Sequence, residues 1–550
     1  MLKKFIADLK KEFEGYNGQG LSKDIMAGIT VAAVALPLAL AFGVSSGADA
    51  AAGLVTAIIA GIVIGGLSGA SYQISGPTGA MAAILMGLSA THGISGVLTA
   101  GLFSGVILLI VALLRADKLV SYIPSPVITG FTSGIAIIIA LGQIDNFFGT
   151  TSEGTSALLK LASYARLGFS PELMSVIFGG AVVAIMLIYP KKWQKYFPSS
   201  LFSLIVVLVV NLIMFPEKGV VAEVGAIPKS LMTPEALLIK GIDFKNIASY
   251  IAPAISVAAL GMVESLLCGT SASKMKNGKF DSRRELVAQG VGNVIIPLLG
   301  GVPATAAIAR TSVAIKSGGK TRLVSVFHSV TLILSMFLLS GVMSRIPLCA
   351  LAGVLMVTAW RMNEWDEIKK IFKNRYKAEI AQFLITMVAT VVFDLTVAIV
   401  IGVAFSMFMF VVKSCDLTVN ISKVNLDVTK EKGIVGSYKY TKIVYLAGPM
   451  FFGTQDKLTK ALEQIEDDTC DIIFSMRGVP SVDSSALEEL SEICEEFRRK
   501  DVRVLFCGVN DKVMKTLDSK GFKAEIGEEN FLWDAVSAIK KIEKEVFVTE

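Results

Sequence analysis

Two ionisable side chains stand inside apolar runs of this chain, and both are of types that bind ions. Glu264 lies in Gly261-Met262-Val263-Glu264-Ser265-Leu266-Leu267, and Arg310 in Ala306-Ala307-Ile308-Ala309-Arg310-Thr311. A charge at the centre of a bilayer costs about 2.5–3.5 kcal/mol on insertion scales, so each needs a compensating role. For Arg310 the readings are attraction of an anion, or a side chain reaching toward water past a helix end near Lys316. For Glu264 they are coupling to a proton or cation, or a structural carboxylate bonded to Ser265, Thr305 or Arg310. Asp145 and Asp394 fall at span ends, where solvation accounts for them.

Arg310 follows an unusual opening, Gly300-Gly301-Val302-Pro303-Ala304-Thr305-Ala306-Ala307, and a second one occurs at Tyr72-Gln73-Ile74-Ser75-Gly76-Pro77-Thr78-Gly79-Ala80-Met81. Each puts Gly and Pro before small residues and a helix of half a bilayer. Pro suits a first helical turn and the residue before it is extended. Two half-helices starting near the midplane would aim unsatisfied N–H groups and positive dipole ends at one point, which attracts an anion. The plainer alternative is that Gly-Pro merely kinks two ordinary spans. Pro77 and Pro303 are 226 residues apart. The same offset carries the first span (Ala27–Gly43) onto the eighth (Pro253–Gly269), which predicts a repeat.

The elements around these residues follow from composition. The 550 residues are 53% hydrophobic and 18% charged, with mean hydropathy +0.64. Soluble domains carry about 25% charged residues. The charge divides sharply at Lys413: 33 Lys+Arg and 21 Asp+Glu up to it, 19 and 25 after it. The net charge of +6 is therefore an average over a multi-span membrane part and an ordinary soluble tail, and it implies no nucleic-acid partner. Apolar runs predict fourteen spans between residues 24 and 413, with 77–90, 286–299, 304–315 and 347–360 too short to cross unaided. Seven plus seven spans, an odd number per half, make the second half (about 247–413) inverted relative to the first (about 24–215). Alternate loops hold 19 and 7 Lys+Arg, which places the richer set and both termini in the cytoplasm. Residues 1–23 form a charged cytoplasmic segment with no signal-peptide core. The six cysteines lack CxxC spacing and there are two histidines, so no disulfide framework, zinc site or histidine metal cluster is expected.

The sequence resembles the sulfate permease (SulP) family in three motifs in order: Ala35-Leu36-Pro37-Leu38-Ala39-Leu40-Ala41-Phe42-Gly43, Gln73-Ile74-Ser75-Gly76-Pro77-Thr78-Gly79-Ala80-Met81, and Ala306-Ala307-Ile308-Ala309-Arg310-Thr311. The resemblance implies a seven-plus-seven inverted-repeat fold whose gate and core domains move relative to each other. It also implies an anion site between the third and tenth spans. Carried over, Phe42 and the residues around Pro37 line it, with Ser75, Thr78, Gly79 and Ala80 on one half-helix and Thr305, Ala306, Ala307 and Arg310 on the other. Glu264 resembles the position linked to proton or sodium coupling in bacterial members. Leu38 stands where many eukaryotic sulfate transporters have Gln, and the Leu-Pro-Leu-Ala-Leu-Ala form resembles bacterial members associated with C4-dicarboxylate or bicarbonate transport.

The tail, residues 434–550 after a linker at 414–433, resembles a STAS domain. Apolar runs at Lys442–Leu446, Asp471–Met476 and Val502–Cys507 alternate with helical patterns at Gln455–Ile465, Ser484–Arg499, Asp511–Ser519 and Phe531–Glu545, which predicts an α/β layer structure. Val482-Asp483-Ser484-Ser485-Ala486-Leu487 resembles the loop of anti-sigma-factor antagonists in which a serine accepts phosphate. This marks Ser484 and Ser485 as regulatory candidates, although Ser485 with Glu488 three residues on reads first as a capping box.

The expectation is a plasma-membrane secondary transporter of a small anion (C4-dicarboxylate, bicarbonate or sulfate), coupled to H+ and, as the alternative, to Na+ or to anion exchange. No cofactor or metal is expected, and a homodimer with a protein partner at the STAS domain is. An enzyme is disfavoured because the spans hold no paired catalytic carboxylates, nucleophile–histidine pair or phosphate loop. An anion channel is the remaining competitor.

Overall fold

A computed structural model describes the chain except residues 1, 116, 118–122, 155, 191, 196, 216–220, 242–246, 277, 394, 416, 425–439 and 550. Asp394 and residues 425–433 of the expected linker thus lie outside the described residues. The chain forms two compact units, Met1–Val403 and Ala404–Glu550.

The first unit is helical. Among the described residues, six of its helices are long and apolar enough to cross a membrane by themselves. The N-terminal segment is not a simple tail. It holds an amphipathic helix α1 (Leu2–Glu12), and α2 (Gly18–Ser45) already starts before residue 24, because the Asn17 side chain caps it by accepting from Gly20 N. Charged and aromatic side chains of α1 are engaged: Lys4 pairs with Asp281, Asp8 with Arg284 and Glu12 with Arg322, and the Phe5 ring lies under Arg284 and Arg322. α3 (Ala50–Leu67) contains a π-turn at Ala60–Ile64. Ser325 and Ser329 of a later helix donate to the carbonyls of Gly61 and Ile58 at 2.9 Å, beside that turn.

The first broken span behaves as its sequence predicts. α4 (Gly79–Leu113) is continuous by its hydrogen bonds but kinks at Gly93, whose φ of 65° only glycine adopts easily. The kink separates the expected stretches 77–90 and 95–114. Its partner is α7 (Ile308–Lys316), preceded along the chain by α5 (Ile247–Lys276) and α6 (Ser282–Leu298). α8 (Leu323–Met343) then packs on α2 and α3. Gly79 to Ile308, the starts of the two half-helices, is 229 residues, so the folded repeat differs from the 226 read from the prolines.

Ahead of the two half-helices lie two short strands, β1 (Ser75–Gly76) and β2 (Thr305–Ala306), which pair antiparallel with Ser75 opposite Ala306 and Gly76 opposite Thr305. Exchanging each residue for its counterpart 230 positions away reproduces the same two pairs. A local two-fold passes through this ladder, and related strands run in opposite directions, as inverted halves require. Pro77 follows β1 and Pro303 precedes β2, so neither proline occupies a first helical turn. In an apolar slab every backbone group needs an internal partner, and the ladder supplies it where the helices are interrupted.

The second unit is a five-stranded sheet in the order β3 (Thr418–Lys423), β4 (Thr441–Ala447), β5 (Asp471–Gly478), β6 (Arg503–Cys507) and β7 (Phe531–Leu532). β3 is antiparallel and the rest are parallel. β3 falls inside the stretch read as linker. Strand alternation sorts the core: Val444, Phe474 and Phe506 face helices α9 (Gln455–Leu462), α10 (Ser484–Arg499) and α11 (Asp511–Ser519), while Ile443, Ile473 and Leu505 face α12 (Ala535–Thr549).

Candidate functional site

The half-helix crossing is anchored from behind. Asn293 on α6 accepts from Ala304 N (2.7 Å) and donates to Ala304 O (2.9 Å), and Thr56 on α3 donates to Val302 O (2.8 Å). These bonds hold the extended approach to β2. Beyond β2, Ala307 N donates to Ile74 O at 2.9 Å, and Thr311 Oγ1 accepts from Ile74 N at 3.0 Å. The two halves are therefore stitched by backbone and hydroxyl bonds along their whole contact.

Arg310 lies on the first turn of α7 and is buried, at 2% exposure. It does not reach toward water past Lys316. Its Nη2 donates to the carbonyl of Pro77, just ahead of the other half-helix, and its Nη1 has no hydrogen-bond partner among the described residues. The guanidinium fits because position 76 is glycine: a Cβ there would stand 2.5 Å from Nη1.

Glu264 on α5 accepts from Thr78 Oγ1 at 3.0 Å. The same hydroxyl caps α4 by accepting from Met81 N. Thr78 thus joins the acid to the N-terminus of the first half-helix. The other expected partners of Glu264 are engaged elsewhere. Ser265 and Thr305 bond each other at 2.9 Å, and Thr305 also donates to Gly261 O.

Phe42 closes the site on the α2 side. Its ring lies 3.3 Å from where a Cβ of Gly79 would be, and Ile139 lies closer still. Ala80 is buried behind it. α7 has no side-chain cap, since its N-cap is Ala307, and Ile308 beside it is 49% exposed. The N–H groups of its first turn are the orphan donors of the site.

The structure brings together Phe42, Thr78, Gly79, Glu264 and Arg310 and places others differently. Ser75, Thr305 and Ala306 are on the strands, not on the half-helices. Ser75 Oγ accepts from Gln289 at 3.0 Å, Ala306 N donates to Ser265 Oγ, and the Ala307 amide is spent on Ile74. Pro37 lines a separate apolar cavity of about 270 Å³ with Leu36, Leu40, Leu204, Leu208 and Met343. A second cavity, of about 520 Å³, runs beside the first half of α4 and the start of α5, lined by Ala83, Met86, His92, Pro253 and Ser256 among others. Asp145 is not merely solvated, because Tyr164 and Ser152 donate to it at 2.7 and 2.5 Å. In the second unit Asp483, not Ser485, caps α10 by accepting from Ala486 N at 2.8 Å, which leaves Ser484 exposed on the first turn.

Sequence reasoning passed over Glu285. Its buried carboxylate sits behind β1 and receives Ser68 Oγ (2.6 Å), Gly69 N (3.0 Å), Gln73 Nε2 (3.0 Å) and Gln289 Nε2 (2.8 Å). The signal was a polar stripe, Glu285, Gln289 and Asn293, at four-residue spacing on a helix that is otherwise apolar after Arg284.

Comparison with known proteins agrees with this architecture. The Sulfate permease family profile matches residues 21–389, and the STAS domain profile matches 425–538. The protein YvdB of Bacillus subtilis is 32% identical over 527 residues, 94% of this chain and 97% of the relative. The "Bicarbonate transporter BicA" of Picosynechococcus is 27% identical over 536 residues, 94% of each chain. The solved transmembrane domain of a cyanobacterial BicA superposes with TM-score 0.62 at 26% identity, covering 71% of this chain and 98% of that one. Murine Slc26a9 in the inward-facing state superposes with TM-score 0.83, covering 95% and 91%, and at 16% identity that likeness is one of fold alone. With both profiles in register and a relative matched nearly end to end, this chain is a multi-pass membrane protein that belongs to the sulfate permease family and carries a C-terminal STAS domain.

Proposed function

We propose that the chain is a secondary active transporter of a small anion that works by alternating access as a proton symporter. The observation that carries this reading is Arg310: a buried guanidinium with one face unpartnered among the described residues, next to an uncapped half-helix and a carboxylate. A built cation in the membrane without a full complement of acceptors is suited to an anionic ligand. Relatives named for bicarbonate transport and, at 24% identity, for sulfate transport in Arabidopsis thaliana support bicarbonate and sulfate as substrates, with C4-dicarboxylates as the third class. Fourteen spans with both termini in the cytoplasm, a plasma-membrane location and a homodimer complete the proposal.

An anion entering a negative-inside cell moves uphill by about 2.3 kcal/mol per charge per 100 mV, so uptake needs a coupled cation or an exchanged anion. Glu264 supplies the coupling group. A bound anion offsets Arg310 and favours a proton on Glu264, and the proton in turn favours the anion, which is linkage and hence symport. The proton is preferred to sodium because Thr78 is the hydroxyl bonded to Glu264, while Ser265 and Thr305 satisfy each other; sodium seeks several oxygens.

The test is uptake of labelled sulfate, bicarbonate and fumarate by the purified protein in liposomes, with and without pH and sodium gradients. Glu264→Gln, which mimics the protonated acid, is expected to keep anion binding and lose the response to a pH gradient. Unchanged pH-driven accumulation in that variant refutes the role of Glu264. Sodium-driven uptake that ignores pH transfers the coupling to sodium, and conductance without accumulation favours a channel.

A further inference from the structure

Glu285 has no part in the function just proposed, yet it is a second buried acid one side chain away from both halves of the site. Gln289 Nε2 bridges Glu285 Oε1 (2.8 Å) and Ser75 Oγ (3.0 Å), and Ser75 is the neighbour of Gly76, against which Arg310 Nη1 lies. Gln73 Nε2 bridges Glu285 Oε1 (3.0 Å) and the carbonyl of Ser265 (3.3 Å), the residue after Glu264. Of the four groups bonded to the acid, three are N–H groups that can only donate, and the fourth is the Ser68 hydroxyl at 2.6 Å. Donors of this number stabilise a carboxylate.

The charges around it are few. Arg284 is adjacent, but its guanidinium donates to the carbonyls of Ser68 and Gly69 and pairs with Asp8 at 2.8 Å. Other titratable groups on this helix and on the elements packed about it include Asp281 and Arg283, His92 on α4, Tyr250, Glu264, Cys268, Lys274 and Lys276 on α5, Arg310 on α7, and Tyr72 in the approach to β1, with buried His328 on α8 near Arg310. With Arg284 balanced by Asp8, the charged side chains at the crossing, among the described residues, are the cation Arg310 and the acids Glu264 and Glu285.

We propose that Glu285 is a positioning residue whose negative charge offsets Arg310, so that the site accepts its anion only when Glu264 has been neutralised by the coupling cation. The counting is direct. Arg310 and Glu285 cancel. An ionised Glu264 then makes the empty site negative and repels the anion, whereas a neutralised Glu264 makes it neutral and admits the anion. Without Glu285 the site would be neutral even with Glu264 ionised, and anion binding would no longer wait for the cation. The inference rests on the cation-coupled reading above.

The hydrogen-bond pattern makes the charge removable. Gln73 Oε1 and Gln289 Oε1 are buried without partners among the described residues, so either can accept from the amide introduced by Glu285→Gln. Glu285→Met, near in volume and free of polar atoms, serves as a second charge-removing variant. Glu285→Asp keeps the charge and disturbs the bonding.

Uptake of labelled bicarbonate, sulfate and fumarate is measured in proteoliposomes across pH and sodium concentration for wild type and the three variants, each checked by size-exclusion profile and melting temperature. Loss of the fixed charge is expected to raise apparent anion affinity at low coupling-cation concentration by on the order of tenfold and to flatten its dependence on that cation. Glu285→Asp is expected to keep the wild-type cation dependence, whatever its maximal rate. Folded charge-removing variants with wild-type affinity and cation dependence overturn the inference alone, as does Glu285→Asp behaving like Glu285→Gln. Transport of none of the three anions by wild type overturns the proposed function and this inference with it.

Discussion

Gly76→Ala is the smallest change that reaches the anion site without touching a charged residue. Gly76 does not have a positive φ, so alanine suits its backbone and the perturbation is steric. The added Cβ would lie 2.5 Å from Arg310 Nη1 and 3.3 Å from Cζ, against an ordinary separation of about 3.5 Å. The guanidinium must retreat by about 1 Å, and the other atoms near the Cβ give no relief, since the Ala57 backbone stands 3.5 Å away. Such a shift stretches the bond from Arg310 Nη2 to Pro77 O to the edge of hydrogen-bond range and moves Nη1 off the anion. One charge-assisted hydrogen bond contributes about 1.5–3 kcal/mol, which is about one to two decades of affinity. Equilibrium binding of labelled anion in detergent reads this directly, alongside Arg310→Ala, for which a similar loss is expected. The decisive measurement is the double variant. If alanine acts through the guanidinium, Gly76→Ala has almost no further effect once Arg310 is alanine, and the coupling energy equals the single-variant loss. Wild-type affinity in Gly76→Ala, or additive losses in the double variant, would show that Arg310 does not contact the anion.

Two further outcomes concern stability. Asp24 accepts from Tyr16 Oη (2.8 Å), Lys320 N (2.6 Å) and Thr321 Oγ1 (2.6 Å), so Asp24→Ala should destabilise the membrane unit by about 3 kcal/mol in a detergent melt, and a loss below about 1 kcal/mol would mean the cluster is not closed. The Tyr16 phenol, pushed up to about 12 by burial and then by its bond to Asp24, should titrate lower in Asp24→Asn when followed by ultraviolet absorbance. In the STAS unit the Lys442 ammonium and then Lys423 hold Glu466 below the usual carboxylate range. A depressed carboxylate contributes stability that is present above its unfolded value near 4.5 and is lost as pH falls through the lower folded value. The melting difference between wild type and Glu466→Gln should therefore shrink as pH is lowered from about 6 to about 3, and a difference independent of pH would contradict the pairing.

What the sequence disclosed were the objects that stand out against their surroundings. A lone Glu264 or Arg310 in an apolar run is conspicuous, and amphipathic periodicity placed α10 and α11 to the residue. Their partners were hidden by separation along the chain: Thr78 is 186 residues from Glu264, and Glu285 is 212 from Gln73. Proline misled the repeat offset because it was matched by type, while the fold uses Pro77 to leave one strand and Pro303 to enter the other. β3 was missed because its residues, Thr-Val-Asn-Ile-Ser-Lys, form an edge strand with only two apolar side chains, Val419 and Ile421, half-buried on its core face. The cap on α10 went to Asp483 because the helix begins two residues earlier than the capping-box pattern assumes.

The ladder between β1 and β2 bears on how such a site can move. Gly76 lies opposite Thr305 and Ser75 opposite Ala306 in the ladder, Ala307 N donates to Ile74 O, and Ala306 N donates to Ser265 Oγ. In hydrocarbon each of these bonds would cost several kcal/mol to break without a replacement. Arg310 adds a side-chain tie across the same junction, and Asn293, Thr56 and the Glu285 cluster hold it from behind. Separating the half-helices would therefore expose a run of polar backbone together with two buried charges. The alternating-access motion of the proposed transporter must then leave this crossing intact and carry Arg310, Thr78 and Glu264 as one body. On that argument the moving contact is the apolar one at Phe42 and Ile139 over Gly79, where side chains slide without losing a hydrogen bond.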